Sequence, residues 1–480
     1  MADKRNKSQV FTPQWIVKLM LDHVGYKQSE NITNKHIIDN SCGDGAFLCE
    51  IVERYIIHCQ LNQIYKEDIK KGIETYIHGI EIDKYVYQKC IHNLNEVARK
   101  YNFVNVKWDI KNEDAFDNIS FLNSMDYVVG NPPYVKVHDL TKEQRIKYKK
   151  YCGIDNGAFD IYIGFFEIGM RMLNKNGKLI YITPNSWTNN LAAFDFRNKI
   201  VNNKNLVSVI NCGHNKIFKN VSTYSLITLL SKQPNNTDIP VYTIEDKYGI
   251  YTLKHLFSAD IDSYNIFGNL YFIRRQDAEN LKNINCQVFS SIRPTEARNG
   301  FATLKDKLFV IDENNDKLKK EKHVIPCLKA SNDKLCNIIF PYDVNNGNPI
   351  NFDGFTDVEK EYMLQRAKEL NVDTTKPNWY LYGRTQAINS VRYVRISVNN
   401  IIKTKEDIKL HKLSKGYGIY SGFYMFYDGT DETYNKIKSI LVSDEFINYV
   451  KILGRYKSGG YYTFKAEELE NYINYKLLNG

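Results

Sequence analysis

Long apolar runs are missing from this sequence. No uninterrupted stretch approaches the roughly 20 residues that a membrane-spanning helix needs, so no membrane partner is expected. The opening segment MADKRNKSQV has no apolar core and does not read as a secretory signal; a cytoplasmic location is expected. The nine cysteines are odd in number and include no Cys-x-x-Cys pair or Cys/His cluster. That argues against a disulfide framework and against a structural zinc site, and no metal site is assigned. Charge of one sign is not concentrated either. Lys and Arg number 65 against 55 Asp and Glu, a formal net charge of +10, and neither half is a basic tail. Charge alone therefore implies a polyanionic partner only weakly. Internal repeats and low-complexity segments are also absent.

What is present is ordinary globular composition, 43% hydrophobic and 25% charged, over 480 residues. At roughly 150 residues per domain, two or three domains are expected. Tyrosine is abundant, with 35 in all, and crowds into Tyr380–Tyr475. In the first half, short apolar runs alternate with helical patterns such as Phe47–Ile57 and Tyr85–Lys100. The runs are His36–Asp39, Ile77–Ile82, Val104–Trp108, Tyr127–Gly130, Lys178–Thr183, Leu206–Asn211 and Ser222–Leu230. That alternation predicts an α/β, Rossmann-like domain of seven strands, mostly parallel, with helices on both faces. The Asn- and Pro-rich segment Ser231–Pro240 reads as a linker. The expected division is a first domain over 1–235 and a mixed α+β domain over 241–480. In the latter, strands are predicted at Phe309–Asp312, Tyr393–Val398 and Ile419–Tyr427, and a helical hairpin from Asp431 to Leu453.

The chemistry is predicted at the strand ends. Ile37–Phe47, IIDNSCGDGAF, runs from an apolar strand through an acid into a Gly-x-Gly turn that opens a helix. Such a turn lets backbone approach a ligand at the C-terminal edge of a parallel sheet. The second strand ends in Glu81-Ile82-Asp83, where nucleotide-binding sheets put a carboxylate for ribose hydroxyls. The third leads to Asn112–Phe116, with an acid and an aromatic suited to an adenine. No Gly-x-x-x-x-Gly-Lys-[Ser/Thr] loop occurs. An adenosine-bearing ligand without polyphosphate is therefore favoured. The fourth strand, in Met125–Tyr134, runs directly into Asn-Pro-Pro-Tyr. Two prolines stop the strand in a stiff turn. That turn presents the Asn131 amide oxygen and the Pro132 carbonyl as acceptors, beside the Tyr134 ring, a clamp for a planar amino-bearing ring.

As an ordered set, these segments resemble the gamma-class S-adenosylmethionine-dependent N6-adenine DNA methyltransferases of the TaqI type, a restriction–modification family. The resemblance spans roughly residues 10–230. It implies S-adenosylmethionine as cofactor, contacted by Phe11, Thr12 and Pro13, then by Asp39, Ser41, Cys42, Gly43, Gly45 and Phe47. Glu81, Ile82 and Asp83 would meet the ribose, and Asp114 and Ala115 the adenine. Asn131, Pro132, Pro133 and Tyr134 would form the catalytic tetrapeptide, with Phe218 as the second aromatic on a flipped-out base. Asp160–Tyr162 and Ile182–Trp187 follow at the family's spacing. Asn40 departs from the family's small residue or Pro.

The second half resembles the family's target-recognition region through Arg293–Phe301, Trp379–Gln386 and Gly454–Phe464. From these come DNA contacts at Arg293, Arg298, Tyr382, Arg384, Arg455, Tyr456, Lys457 and Tyr461. Lys136 joins them from the basic segment Lys136–Tyr151, which is expected to order over the DNA backbone. The partners expected are double-stranded DNA, met as a monomer, and a separate restriction endonuclease or none; a fused nuclease is disfavoured. N4-cytosine methylation and a non-catalytic DNA-binding subunit are the competing readings.

Overall fold

A computed structural model describes residues 12–135, 139–152, 160–213, 217–218, 224–286 and 293–479, with side chains given to Lys150 in the second of these ranges. Phe11, Lys136 and most of the segments around Gly153–Phe159 and Lys219–Thr223 lie outside the described residues. Two units divide between Glu279 and Asn280, within the helix Arg275–Cys286.

The first unit is built on a nine-stranded mixed sheet. Its strands are β1 (Ile37–Asp39), β2 (Ile77–Ile80), β3 (Asp109–Lys111), β4 (Met125–Gly130), β5 (Leu173–Pro184), β6 (Leu206–Asn211), β7 (Ser225–Ser231), β8 (Ile239–Lys247) and β9 (Ile250–Ala259). They lie in the order β3-β2-β1-β4-β5-β7-β6-β8-β9. β1 to β5 pair in parallel, and β7 runs antiparallel between β5 and β6. Strands β1, β2 and β7 are almost wholly buried apolar runs, as a sheet covered on both faces requires. One face is covered by α1 (Gln14–Val24), α2 (Ala46–Leu61), α3 (Lys66–Tyr76) and α4 (Lys84–Lys100). The other carries α5 (Lys142–Cys152), α6 (Ile161–Met172) and α7 (Phe194–Asn202), whose Phe165, Phe166 and Phe196 pack with the fully buried Trp187.

Three expectations change. Val104–Trp108 is irregular, and β3 begins at Asp109, because only that segment reaches pairing distance of β2. Ser231–Pro240 is no domain linker: β8 returns to pair in parallel with β6, and β9 pairs with β8, so the sheet has nine strands rather than seven. Phe309–Asp312 is not a strand; Asp306–Phe309 is a short helix.

The second unit holds small sheets. Glu296–Asn299, Phe423–Phe426, Arg395–Val398 and Leu410–Leu413 form one, and Lys334–Ile339, Val324–Lys329 and Gly418–Tyr420 a second. A third joins Ile401–Ile402, Tyr461–Thr463 and Tyr456–Lys457. The hairpin expected over Asp431–Leu453 is the helix pair Asp431–Leu441 and Asp444–Ile452. No helix among the described residues is long and apolar enough to cross a membrane.

Gly169 on α6 marks the tightest helix-on-sheet contact. A Cβ there would lie 2.5 Å from Leu179 Cδ1 and 2.7 Å from the Tyr181 hydroxyl. In an open helix Gly→Ala stabilises by about 1 kcal/mol. Here overpacking, worth about 1–3 kcal/mol, should reverse the sign. Gly169→Ala is expected to lower the denaturant midpoint; a raised midpoint would contradict the contact.

Candidate active site

The C-terminal ends of β1, β2, β3 and β4 open into one cavity of about 870 Å³. The register explains why. Asp39, the last residue of β1, pairs with Gly79 of β2 on one side and Val129 of β4 on the other. Gly130 then ends β4 against the Asp39 carboxylate: a Cβ at that position would lie 2.7 Å from Asp39 Oδ1. The residue before the Asn-Pro-Pro-Tyr turn is therefore pressed onto the acid that begins the glycine-rich loop.

That loop is held by hydrogen bonds to Asp39 and to the end of β2. Ser41 N donates to Asp39 Oδ1 at 3.1 Å and Cys42 N to Ile80 O at 3.0 Å. Gly43 N donates to Glu81 Oε2 at 3.0 Å, and Asp83 N to Glu81 Oε1 at 2.8 Å. Gly43 (φ +55°) and Gly45 (φ +92°) adopt the left-handed region, and a Cβ on Gly45 would lie 2.9 Å from Cys90 Sγ. Asn40, the departure from the family pattern, is buried and satisfied: the Tyr181 hydroxyl donates to its Oδ1 at 2.8 Å.

Thr12, Asp39, Ser41, Cys42, Gly43, Phe47, Glu81, Ile82, Asp83, Asp114 and Ala115 all line the cavity, as do Asn131, Pro132, Pro133 and Tyr134. Pro13 and Gly45 do not; Pro13 precedes α1 and Gly45 begins α2. Within the set the roles separate. The Asp83 carboxylate caps α4, accepting from Tyr85 N at 2.9 Å and Val86 N at 3.1 Å. Glu81, also in the cavity lining, holds its two backbone donors on separate oxygens, so each keeps a lone pair. Ile82 is 59% exposed there, an apolar surface suited to a ring. Phe116 is not: its ring is 1% exposed and packs on Tyr148 and Phe165.

At the Asn131–Tyr134 turn, Asn131 Nδ2 donates to Thr12 Oγ1 at 3.2 Å. This sets the amide plane and leaves Oδ1 on the opposite edge. Tyr134 donates its hydroxyl to Ile182 O at 3.2 Å, which anchors the ring. Phe218 meets Tyr134 edge to face, with centroids 6.5 Å apart. The two aromatics predicted to handle one base are therefore neighbours in space, although 84 positions separate them in the sequence.

Sequence reasoning missed one wall. Leu140, Thr141, Gln144 and Tyr148, from α5 and the turn before it, line the cavity. Nothing in the spacing of that basic segment marked it as part of a small-molecule site. Lys147, expected to face DNA, instead pairs with Asp114 and Asp117 at 2.6 Å each.

The donor set fits S-adenosylmethionine. Ser41 Oγ is buried at the cavity wall with no hydrogen-bond partner among the described residues, a polar atom of the kind a ligand completes. Asp39 and Glu81 are both pushed up by burial, Asp39 to about 7. Two desolvated acids favour a cationic occupant.

The predicted DNA contacts in the second unit divide. Tyr382 is core: its hydroxyl donates to Ile339 O at 2.6 Å and its ring stacks on Phe301 at 4.9 Å. At 5% exposure it has no face to offer a base. Arg293 and Arg298 bind the buried Glu470 at 2.9 and 3.3 Å, and Arg455 binds the buried Glu468 at 2.9 Å. Removing such a partner strands a buried carboxylate, so these arginines hold structure. Tyr456 meets Tyr462 at 5.5 Å. Arg384 is exposed; its backbone bridges to Ala302 and its guanidinium has no partner among the described residues. Lys457 and Tyr461 are exposed on the adjoining strands of one hairpin.

Residues 46–218 match one known family. It is the Eco57I restriction-modification methylase family. Among curated relatives, the type II methyltransferase M.BstVI of Geobacillus stearothermophilus is 29% identical over 256 residues, covering 50% of this chain and 45% of its own. The restriction enzyme and methyltransferase RM.Eco57I of Escherichia coli is 22% identical over 481 residues, covering 80% of this chain and 48% of its own. The chain thus spans about half the length of these relatives. The fold is shared with the restriction-modification enzyme MmeI, solved with DNA (TM-score 0.63, 13% identity, 95% of this chain and 65% of that one). It is also shared with DrdV, likewise solved with DNA (TM-score 0.54, 12% identity, 87% and 49%).

Asp39 also carries a pH signature. The unfolded chain ionises it near the ordinary 3.8, whereas the folded chain keeps it protonated to about 7. The unfolded state therefore binds fewer protons across that window, and stability falls as pH rises through it. Asp39→Asn is expected to flatten the slope, leaving the smaller contribution of Glu81. Equal slopes for the two proteins in denaturant titrations from pH 4 to 7 would refute the assignment.

Proposed function

We propose that this chain transfers the methyl group of S-adenosylmethionine to N6 of an adenine flipped out of duplex DNA. The observation that carries the reading is the shared cavity: the Asn131–Tyr134 turn opens into the same space as the glycine-rich loop, Glu81 and Asp114. The family match over residues 46–218 and the likeness to the methyltransferases M.BstVI and RM.Eco57I support the methyl-transfer part of that reading.

When bound, the cofactor supplies an electrophilic methyl group. The protein does the rest. Glu81 accepts from ribose hydroxyls, Ile82 backs the adenine ring, and a cationic ligand end near the buried Asp39 favours that acid's ionised form. Flipping the base costs a few kcal/mol of stacking and pairing, and Tyr134, backed by the 4%-exposed Phe218, recovers part of it by packing on the extruded ring. The N6 lone pair is delocalised and poorly nucleophilic. Asn131 Oδ1 and the Pro132 carbonyl accept its two N–H bonds, which localises the lone pair and aims it. The proton becomes acidic only after transfer, so no prior general base is needed.

In the second unit, Arg384, Lys457 and Tyr461 are the DNA-facing residues of this reading, with Arg293, Arg298, Tyr382, Arg455 and Tyr456 as their scaffold. Asn131→Ala is expected to cut methyl transfer from labelled cofactor about 10²–10³-fold while cofactor affinity stays put; undiminished transfer sinks the clamp. Digesting the labelled DNA to nucleosides separates N6-methyladenine from N4-methylcytosine, and the latter would overturn the adenine assignment. Arg384→Ala is expected to weaken DNA binding and reduce its salt dependence by about one counterion, with cofactor binding untouched. A change confined to the cofactor would remove Arg384 from the interface.

A further inference from the structure

The carboxylate assigned above to the cofactor's adenine already has company. Asp114 Oδ1 accepts from Phe116 N at 3.0 Å. Its Oδ2 accepts from Lys147 Nζ at 2.6 Å and from the Tyr148 hydroxyl at 3.0 Å. Both donors come from α5, the helix that follows the catalytic turn in sequence. Tyr148 is 3% exposed, and burial together with Asp114 pushes its phenol well up, so it stays a donor. It also lines the cavity. Lys147 has a second carboxylate within reach, Asp117, at 2.6 Å; the Tyr148 hydroxyl has no second hydrogen-bond partner among the described residues.

A carboxylate oxygen offers two lone pairs, and Oδ2 already has two donors. An adenine amino group aimed at the same atom must displace one of them. Lys147 is the one with somewhere to go, because moving fully onto Asp117 keeps its charge paired and leaves Tyr148 in place as wall. The ammonium, on a side chain outside the cavity lining, therefore holds one of the two Oδ2 lone pairs that such an amino group would take.

We propose that Lys147 is a positioning residue of the cofactor site, holding Asp114 until the adenine amino group takes Oδ2 and then passing to Asp117. The proposal rests on the S-adenosylmethionine reading. The exchange links cofactor occupancy to α5. It also gives the site a means of telling an amino donor at ring position 6 from an acceptor, since Asp114 serves the first and Lys147 the second.

The test titrates the full chain calorimetrically with S-adenosylhomocysteine and with its 6-oxo analogue, S-inosylhomocysteine, which has no amino donor. Lys147→Met is expected to bind S-adenosylhomocysteine about fivefold tighter, the scale of one exchanged hydrogen bond, and to bind the 6-oxo ligand no tighter. Lys147→Arg should restore the wild-type ratio. Asp117→Asn removes the alternative partner and should weaken S-adenosylhomocysteine by a similar factor, an opposite sign that loss of fold in one variant could not mimic. Equal shifts for both ligands in Lys147→Met, or an affinity within about twofold of wild type, would overturn the proposal. Failure of the wild type to bind either nucleoside would instead overturn the cofactor reading, and this proposal with it.

Discussion

The close approach of Gly130 to Asp39 is the constraint on which the first unit's site depends. Parallel pairing of β1 with β4 brings the two strand ends level, and the missing Cβ at Gly130 lets backbone sit against a buried carboxylate. Any larger residue would need that space. Because the glycine-rich loop starts at Asp39 and the Asn-Pro-Pro-Tyr turn starts after Gly130, one contact sets the distance between the loop's backbone cradle and the turn.

Burying acids to build the cradle is costly by itself. Asp39 is 2% exposed and Glu81 8%. The chain offsets part of that cost with backbone donors, Ser41 N for the first and Gly43 N and Asp83 N for the second. The same bonds shape the loop, so one set of groups both stabilises the charges and positions the backbone. A site that keeps two desolvated carboxyls near each other is less stable than an apolar one and better suited to a cation.

The second unit uses buried acids differently. Glu470 binds Arg293, Arg298 and the amide of Ala297, tying the last helix to the edge of a sheet. Glu468 binds Arg455 and the amide of Lys465 at the base of the Tyr456–Thr463 hairpin. Three arginines that look like phosphate ligands in one dimension are thereby committed to carboxylates, while Arg384 stands in solvent.

How much was legible follows from the range of each signal. The strand ends of β1, β2 and β4, and the motifs on them, were readable because apolar runs and turn residues act locally: Gly43 and Gly45 need left-handed backbone, and two prolines must end β4. The sequence by itself therefore determined the parallel core of the sheet and most of the cavity's residues. Only tertiary structure decided the return of β8 to the sheet edge, since pairing with β6 leaves no mark in Ser231–Pro240. It likewise decided that Tyr382 is core and that Lys147 faces an acid rather than DNA. A tyrosine or a lysine carries no label for its partner; burial and charge pairing are settled by residues dozens of positions away, through contacts that exist only once the chain has folded.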